Sequence, residues 1–523
     1  MLLTCGHTLP RFSYGTRRPE RRRVKAPLLP RFRVQVEAST TSLQSIWEIV
    51  GARPGCPASL ELQQTPLGRG VVTSRTIRQG ELLASIPWSA LVFVPEDCEE
   101  ENDATDDTRL ALALLRALRE EDTSHRGVVW KFYRQLLPDA TGAAALWDPE
   151  FIEELQWPPA VDETTNLYWH FQDQIVTHSS CDITPEDLLW ALSIVHSRSF
   201  SVPTPQGRVR ALVPLADLFN HRPESLREVA EQTALLSSDK CEGEQVTRDW
   251  ETDGWDTDTY LKTSGVNLAW FHLRAFWSFK LGEQVLIPYG HESNAEHLAS
   301  YGFLPLDNPA DFLELYSDAD AMLGDTRWLS TANDAALTAR KTTFLKQARK
   351  STWPLAVRPT GAEASTHLLG CLRVMHSSAA ELTTLERAYD AAAGHYTFQW
   401  AGESARSLWS CQSKQLSSPC MEQSGLGQRQ AAVDRMALGH AAGRSLELLQ
   451  EFPTTVTEDL DILADIDAAN DANEASLGNE CEEDGEYALE YVAAVKYRIT
   501  VKRLLLELIK SAGLLNVRPM KPL

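Results

Sequence analysis

The sequence predicts an α+β protein: small β-sheets with an inserted helical block, followed by an all-α C-terminal domain. Three observations predict it. Short apolar runs broken by glycine and proline fill 67–94 and return at 209–213, 268–279 and 283–287. The stretch between these two groups has helical character, and so has nearly everything from about 308 onward. Regular strand–helix–strand alternation is missing, which sets aside a parallel dinucleotide-binding sheet.

Each element has a local reason. In 67–87 (LGRGVVTSRTIRQGELLASIP) Gly68, Gly70 and Gly80 separate apolar runs, as in small strands joined by tight turns. Trp88–Val94 (WSALVFV) reads as a further strand closed by Pro95. Arg109–Glu121 is rich in Ala and Leu and reads as helix. Asp148-Pro149 opens a short helix that must stop by Trp157-Pro158-Pro159. Thr184-Pro185-Glu186-Asp187 is a helix start, with Thr as N-cap, Pro in the first position and acids in the first turn. That helix points Leu188, Leu189, Leu192 and Val195 inward and ends near Arg198. A Ser/Gln-rich loop is expected from Glu403 to Gln430, and a strong helix from Glu486 to Lys510.

Composition narrows the function. The chain has 523 residues, 43% of them hydrophobic, enough for two to four domains with sizeable cores. A formal charge of −22 argues against nucleic acid as the main ligand, because counterion release needs a basic face. No run of about 18 apolar residues suggests a membrane span. Residues 1–37 break the acidic pattern with nine Lys/Arg against Glu20 and Glu37, nine minus two or +7. Such a basic, acid-poor leader reads as an organelle transit peptide over 1–40, disordered before removal. Nine scattered cysteines include no C-x₂-C pair, so a zinc site is not expected and a reducing compartment suits the chain. Twelve carboxylates and no Lys or Arg lie between Glu458 and Glu486.

Three segments carry chemistry. Val213–His221 (VPLADLFNH) is an apolar run ending on Asp217, Asn220 and His221, which delivers polar side chains to a pocket rim. Taken alone, an Asn-His pair more often just turns the chain. Gly282–Gly290 (GEQVLIPYG) is a turn into a strand ending on Tyr289, and Ser293–Phe303 (SNAEHLASYGF) is a capped short helix ending on Tyr301-Gly302. No G-x-G-x-x-G or G-x₄-G-K-[ST] occurs, so nicotinamide and P-loop nucleotide chemistry lose their usual warrants.

In this order and spacing the segments resemble a SET-domain protein methyltransferase, of the subfamily typified by the plant Rubisco large-subunit lysine methyltransferase. The likeness covers about 60–512 and is strongest over 205–305. It implies a SET catalytic domain over 41–307, with a helical insertion at about 96–197 and an acidic loop at about 224–262. A helical substrate-binding domain over 308–523 would follow. It further implies S-adenosyl-L-methionine as cofactor, held by Leu67, Gly68, Arg69, Asn220, His221 and Tyr301. Tyr289 takes the catalytic place, and Arg198 and Asp217 stand with it near the substrate amine. No metal is required.

The implied acceptor is a lysine on a protein, such as Rubisco large subunit or aldolase, in the plastid stroma, with the mitochondrion as alternative. Some members of this branch methylate an actin histidine instead, and a non-catalytic scaffold would have lost Tyr289 or the Asn220-His221 pair. The chain departs from the pattern at Val202, where the family continues its S-R-[AS]-F-S segment with a second Arg, and at Arg222 after His221.

Overall fold

Short strands dominate the N-terminal part because glycine and proline interrupt each apolar run. The computed structural model describes residues 43–55, 59–94, 104–204, 207–223, 270–290, 292–305, 307–325, 334–347, 355–359, 366–388, 397–398, 406–407, 425–475 and 488–513. The leader over 1–40, the acidic loop over about 224–262 and the acidic residues of 480–486 lie outside the described residues.

Helix α1 (Leu43–Val50) buries Leu43, Ile46, Trp47 and Val50, the 0, 3, 4, 7 spacing of one helical face. Strand β1 (Arg53–Pro54) precedes a hairpin of β2 (Leu60–Thr65) and β3 (Gly68–Thr73), then come β4 (Leu82–Pro87) and β5 (Val92–Phe93). Trp88–Val94 is not one strand: a 3₁₀ turn at Trp88–Ala90 precedes β5. The Trp88 and Phe93 rings meet at 4.5 Å, which two residues five apart on an extended strand cannot do.

The helical block contains α2 (Asp106–Ala117), α3 (His125–Tyr133), α4 (Pro149–Glu153), α5 (Pro158–His178) and α6 (Pro185–Arg198). Thr184 caps α6 by accepting from Asp187 N–H, and the helix ends at Arg198 as its sequence requires. Pro158 both ends the preceding segment and opens α5, a 21-residue helix that the sequence reading missed. Proline breaks helix interiors but fits a first turn, so the same residue carries both signals.

Strands β6 (Ser199–Thr204) and β7 (Gly207–Leu212) form a hairpin that continues to β5. A 3₁₀ turn at Ala216–Leu218 leads into β8 (Asn220–His221), then β9 (Trp270–Arg274) joins β4, and β10 (Leu286–Ile287) runs parallel to β8. Val285 N–H bonds Val71 O and Arg222 N–H bonds Ile287 O. The 283–287 segment is therefore drawn between the β2–β3 hairpin and β8. Helix α7 (Asn294–Tyr301) follows, started by a capping box in which Ser293 and Glu296 satisfy each other's backbone N–H.

The C-terminal part is mostly helical: α8 (Ala319–Gly324), α9 (Ala335–Gln347), α10 (Thr366–His376), α11 (Ala379–Ala388), α12 (Gly425–Glu451), α13 (Val456–Ala475) and α14 (Leu489–Ser511). It is not all-α, because β11 (Leu313–Tyr316) pairs antiparallel with β12 (Leu355–Val357), and β13 (Thr397–Phe398) with β14 (Arg406–Ser407). Leu313, Leu315, Leu355 and Val357 are short alternating patterns beside helices, too brief to register against a helical background. The loop expected to Gln430 ends earlier, since α12 begins at Gly425.

Two cores result. One joins the small sheets to α1, α2, α3 and α6. The other joins the C-terminal helices to Trp147, Phe151, Leu155 and Trp157 of the insertion and to Leu298 of α7. The insertion is thus divided between both cores and ties the two parts together. At that seam Asp459 is fully buried between Arg498 Nε at 2.8 Å and Lys502 Nζ at 2.5 Å, and Arg498 Nη1 also reaches Glu154 Oε2 on the α4 side at 2.5 Å. Burial alone would lower Arg498, but the Asp459 and Glu154 carboxylates more than offset it; Lys502 is lowered by its own burial.

Candidate functional site

The site forms where β3, β8, β10 and the end of α7 converge. Asn220 donates from Nδ2 to the Arg69 carbonyl at 3.2 Å, which fastens β8 to the hairpin. Gly70 must be small here: a Cβ would stand 2.7 Å from Asn220 Nδ2 and 2.2 Å from Gln284 Nε2. Leu67 and Gly68 form the hairpin tip, with Gly68 at φ +89° and the Leu67 side chain exposed. These two reach the cluster through the chain, while Arg69 touches it directly.

His221 is buried, and its Nδ1 accepts the Tyr289 N–H at 3.0 Å. An accepting Nδ1 places the ring proton on Nε2. That Nε2 is buried with no partner among the described residues. Burial pushes His221 down to about 4, so the ring is neutral near pH 7. Its ring lies 4.7 Å from His297 and 5.0 Å from Tyr289. Tyr301 packs 5.3 Å from Tyr289 and 5.8 Å from Phe303. His297, buried and then disfavoured further by His221, is pushed down to about 3.

The Tyr289 hydroxyl donates to the Phe219 carbonyl at 2.8 Å. Burial pushes it up to about 12, with Arg198 opposing and Asp217 adding, so it stays a neutral donor. Asp217, with a side chain 3% exposed, is gripped by Arg198 Nη1 through both Oδ2 at 3.1 Å and its own carbonyl at 3.0 Å. Arg198 Nε is buried without a partner among the described residues. Arg69 is lowered by burial although Tyr133 and Asp217 lie near enough to oppose it.

The expected residues thus fall into one place, with Arg69, Asn220, His221, Tyr289 and Tyr301 on one flank and Arg198 and Asp217 on the other. Sequence reasoning missed Tyr133, whose hydroxyl bonds Asp217, and did not single out His297, Phe303 or Gln284. The last three stand inside the quoted motifs, so the signal was present; Tyr133 sits in an ordinary amphipathic helix with no motif around it.

Tyr301 is followed by Gly302 at φ +78°, where a Cβ would meet Gly142 O at 1.9 Å. Glycine is required there twice over, by conformation and by contact with the insertion. Glu292, close to His297 Nδ1 at 3.7 Å, is pushed up to about 7 by burial and by Glu296.

Asp107, His170 and His196 place potential ligand atoms within 4.8 Å of one another. The Arg210 guanidinium already pairs with Asp107, and His196 Nε2 lies 2.9 Å from its other oxygen. The carboxylate charge is therefore engaged by an arginine, and we assign no ion to this cluster.

No family model matches the chain. It is 26% identical over 299 residues to a chloroplastic ribulose-1,5 bisphosphate carboxylase/oxygenase large subunit N-methyltransferase of Nicotiana tabacum, covering 52% of this chain and 54% of that protein. It is 27% identical over 293 residues to a chloroplastic [fructose-bisphosphate aldolase]-lysine N-methyltransferase of Arabidopsis thaliana, covering 51% and 53%. An actin-histidine N-methyltransferase of Canis lupus familiaris matches at 26% over 300 residues, covering 52% and 43%. The chain spans about half the length of the curated relatives it matches. A crystal structure of the SET domain of LSMT bound to lysine and AdoHcy superposes with a TM-score of 0.50 at 17% identity, over 90% of this chain and 91% of that one. The fold is that of this SET-domain structure.

Proposed function

We propose that the chain transfers a methyl group from S-adenosyl-L-methionine to the side-chain amine of a lysine in a protein, and that it does so in the plastid. The observation that carries this reading is the joining of Tyr289 to both halves of the site. Its N–H is bound by His221 and its hydroxyl by the Phe219 carbonyl beside Asp217. The names of the tobacco and Arabidopsis relatives support a lysine acceptor and candidate substrates, Rubisco large subunit and aldolase.

The residues fit the cofactor on this structure's own terms. The His221 Nε2–H and Gln284 Nε2 are buried donors with no acceptor among the described residues, and Tyr301 and Phe303 offer aromatic faces nearby. Leu67, Gly68 and Arg69 by their backbone, together with Asn220, His221 and Tyr301, would hold it. When bound it supplies an activated methyl on a positively charged sulfur.

The chain's own residues handle the amine. A lysine of pKa near 10.4 is roughly 0.4% neutral at pH 8, and only the neutral form attacks. An apolar site with a positive neighbour lowers that pKa. With its proton committed to Phe219 O, the Tyr289 oxygen keeps lone pairs free to accept from the amine and orient it. Asp217 and Arg198 brace the turn that carries this carbonyl. We assign 41–307 as the catalytic domain and 308–523 as the part that docks the protein substrate.

The test is incubation of the chain with methyl-labelled S-adenosylmethionine and unmethylated Rubisco or aldolase, with the label mapped by mass spectrometry. Label on a lysine side chain supports the reading. Label on a histidine, the acceptor in the actin enzymes, would replace the acceptor; no label from a cofactor-binding chain would overturn transfer to these targets.

A further inference from the structure

We infer that Tyr133, on helix α3 of the insertion, is a positioning residue for the transfer: its hydroxyl sets the turn that presents Asp217 and the Phe219 carbonyl to Tyr289. This rests on the methyl-transfer reading above. Three observations carry it.

Leu215 stands at φ +74°, a left-handed conformation that a bulky side chain adopts only when its surroundings enforce it. Its N–H donates to the Tyr133 oxygen at 2.9 Å. The same hydroxyl donates to Asp217 Oδ1, so one buried phenol ties both ends of the turn. The turn then closes at Ala216–Leu218 and delivers Phe219 O to the Tyr289 hydroxyl.

The end of α3 reaches the other flank as well. Three residues on, the Leu136 carbonyl accepts from Arg69 Nη2, and Arg69 O is the acceptor for Asn220. A single short segment of the insertion therefore bears on both the amine side and the hairpin side of the site. The insertion then acts as a brace for the reacting geometry in addition to filling the core, and the phenol is its most direct contact.

Tyr133→Phe keeps the ring, which packs edge-on to Trp130 at 5.3 Å, and removes only the hydroxyl. The experiment compares the full-length wild type, Tyr133→Phe, Asp217→Asn and the double variant. Two readouts are taken: amide hydrogen exchange over 213–221, and transfer kinetics to whichever of unmethylated Rubisco or aldolase the wild type labels. The inference expects exchange in that segment to rise about tenfold or more and kcat to fall about tenfold or more in Tyr133→Phe. The S-adenosylmethionine Kd should stay within about twofold, because the His221 side is untouched. The double variant should be no slower than Asp217→Asn alone, the mark of two groups acting in series.

A folded Tyr133→Phe with unchanged exchange and turnover overturns the inference. So do losses that multiply in the double variant, or a cofactor Kd that weakens in proportion to kcat. A wild type that binds S-adenosylmethionine but labels neither protein overturns transfer to these targets, while unchanged exchange over 213–221 in Tyr133→Phe overturns this inference on its own.

Discussion

Two buried polar clusters in this molecule are built alike and end differently. Near the C-terminus, Asp459 sits between Arg498 and Lys502, and Arg498 goes on to Glu154, so both carboxylate oxygens are occupied. In the part proposed to be catalytic, Asp217 sits between Arg198 and Tyr133, but Arg198 Nε and His221 Nε2 are buried with no partner among the described residues. An unsatisfied buried donor costs about 1–3 kcal/mol, so it persists where a ligand completes it. On the proposed reading the closed cluster holds the fold and the open one takes up substrate and cofactor.

The comparison can be broken first at its closed end. Asp459→Ala leaves two buried cations without their shared partner and should cost about 3–5 kcal/mol of unfolding free energy, read by urea titration. Methyl transfer by the remaining folded protein should be normal. If the variant is as stable as wild type, the triad is not the fastening it is taken to be.

At the open end, Tyr289→Phe should cost only about 0.5–1.5 kcal/mol of stability for the lost Phe219 bond, and slow turnover by about a hundredfold, or about 3 kcal/mol of barrier. Single-turnover transfer measures this directly, and a near-normal rate would shift the role to Tyr301.

The open cluster also carries a pH signature. His221 and His297 are held neutral, at about 4 and about 3, while His196 packed elsewhere in the insertion is pushed to about 4 by burial. Each binds a proton more readily in the unfolded chain, so stability is fully present above about 6.5 and is lost as pH falls toward 4. Thermal melts between pH 8 and 4 should show that loss, and it should shrink in His297→Gln.

The smallest effect concerns the acidic helix α13. Asp461 and Asp465 are exposed, unlike Asp459, and reversing their charge should barely alter stability. Transfer to a protein substrate should slow only a few-fold at low salt and converge with wild type at high salt. Equal rates at every salt concentration would make those acids a solvated face.

How much of this was legible beforehand depends on whether the signal was local. Thr184 capping and the Ser293–Glu296 box are short-range chemistry and read directly. The motif ends Asn220, His221, Tyr289 and Tyr301 converge as expected because each sits where a strand or helix stops. Tyr133 gave no sign, since its role depends on Asp217, 84 residues away, and on the backbone of Leu215. Asp459 looked like one acid among twelve, and only packing against α14 separates it from its exposed neighbours. Pro158 was read as a stop and is also a start, a case in which one residue satisfies two rules. The strands β11 and β12 escaped because three- and four-residue runs carry too few alternations to outweigh a helical surrounding.

The most direct test of the open cluster is titration calorimetry with S-adenosylmethionine on the wild-type chain and on His221→Ala. The account expects saturable one-site binding by wild type, and a loss of affinity of about tenfold to a hundredfold when the Nε2 donor is removed, the worth of one strong buried hydrogen bond. Absence of binding by folded wild type, or equal affinity in the two proteins, would contradict it.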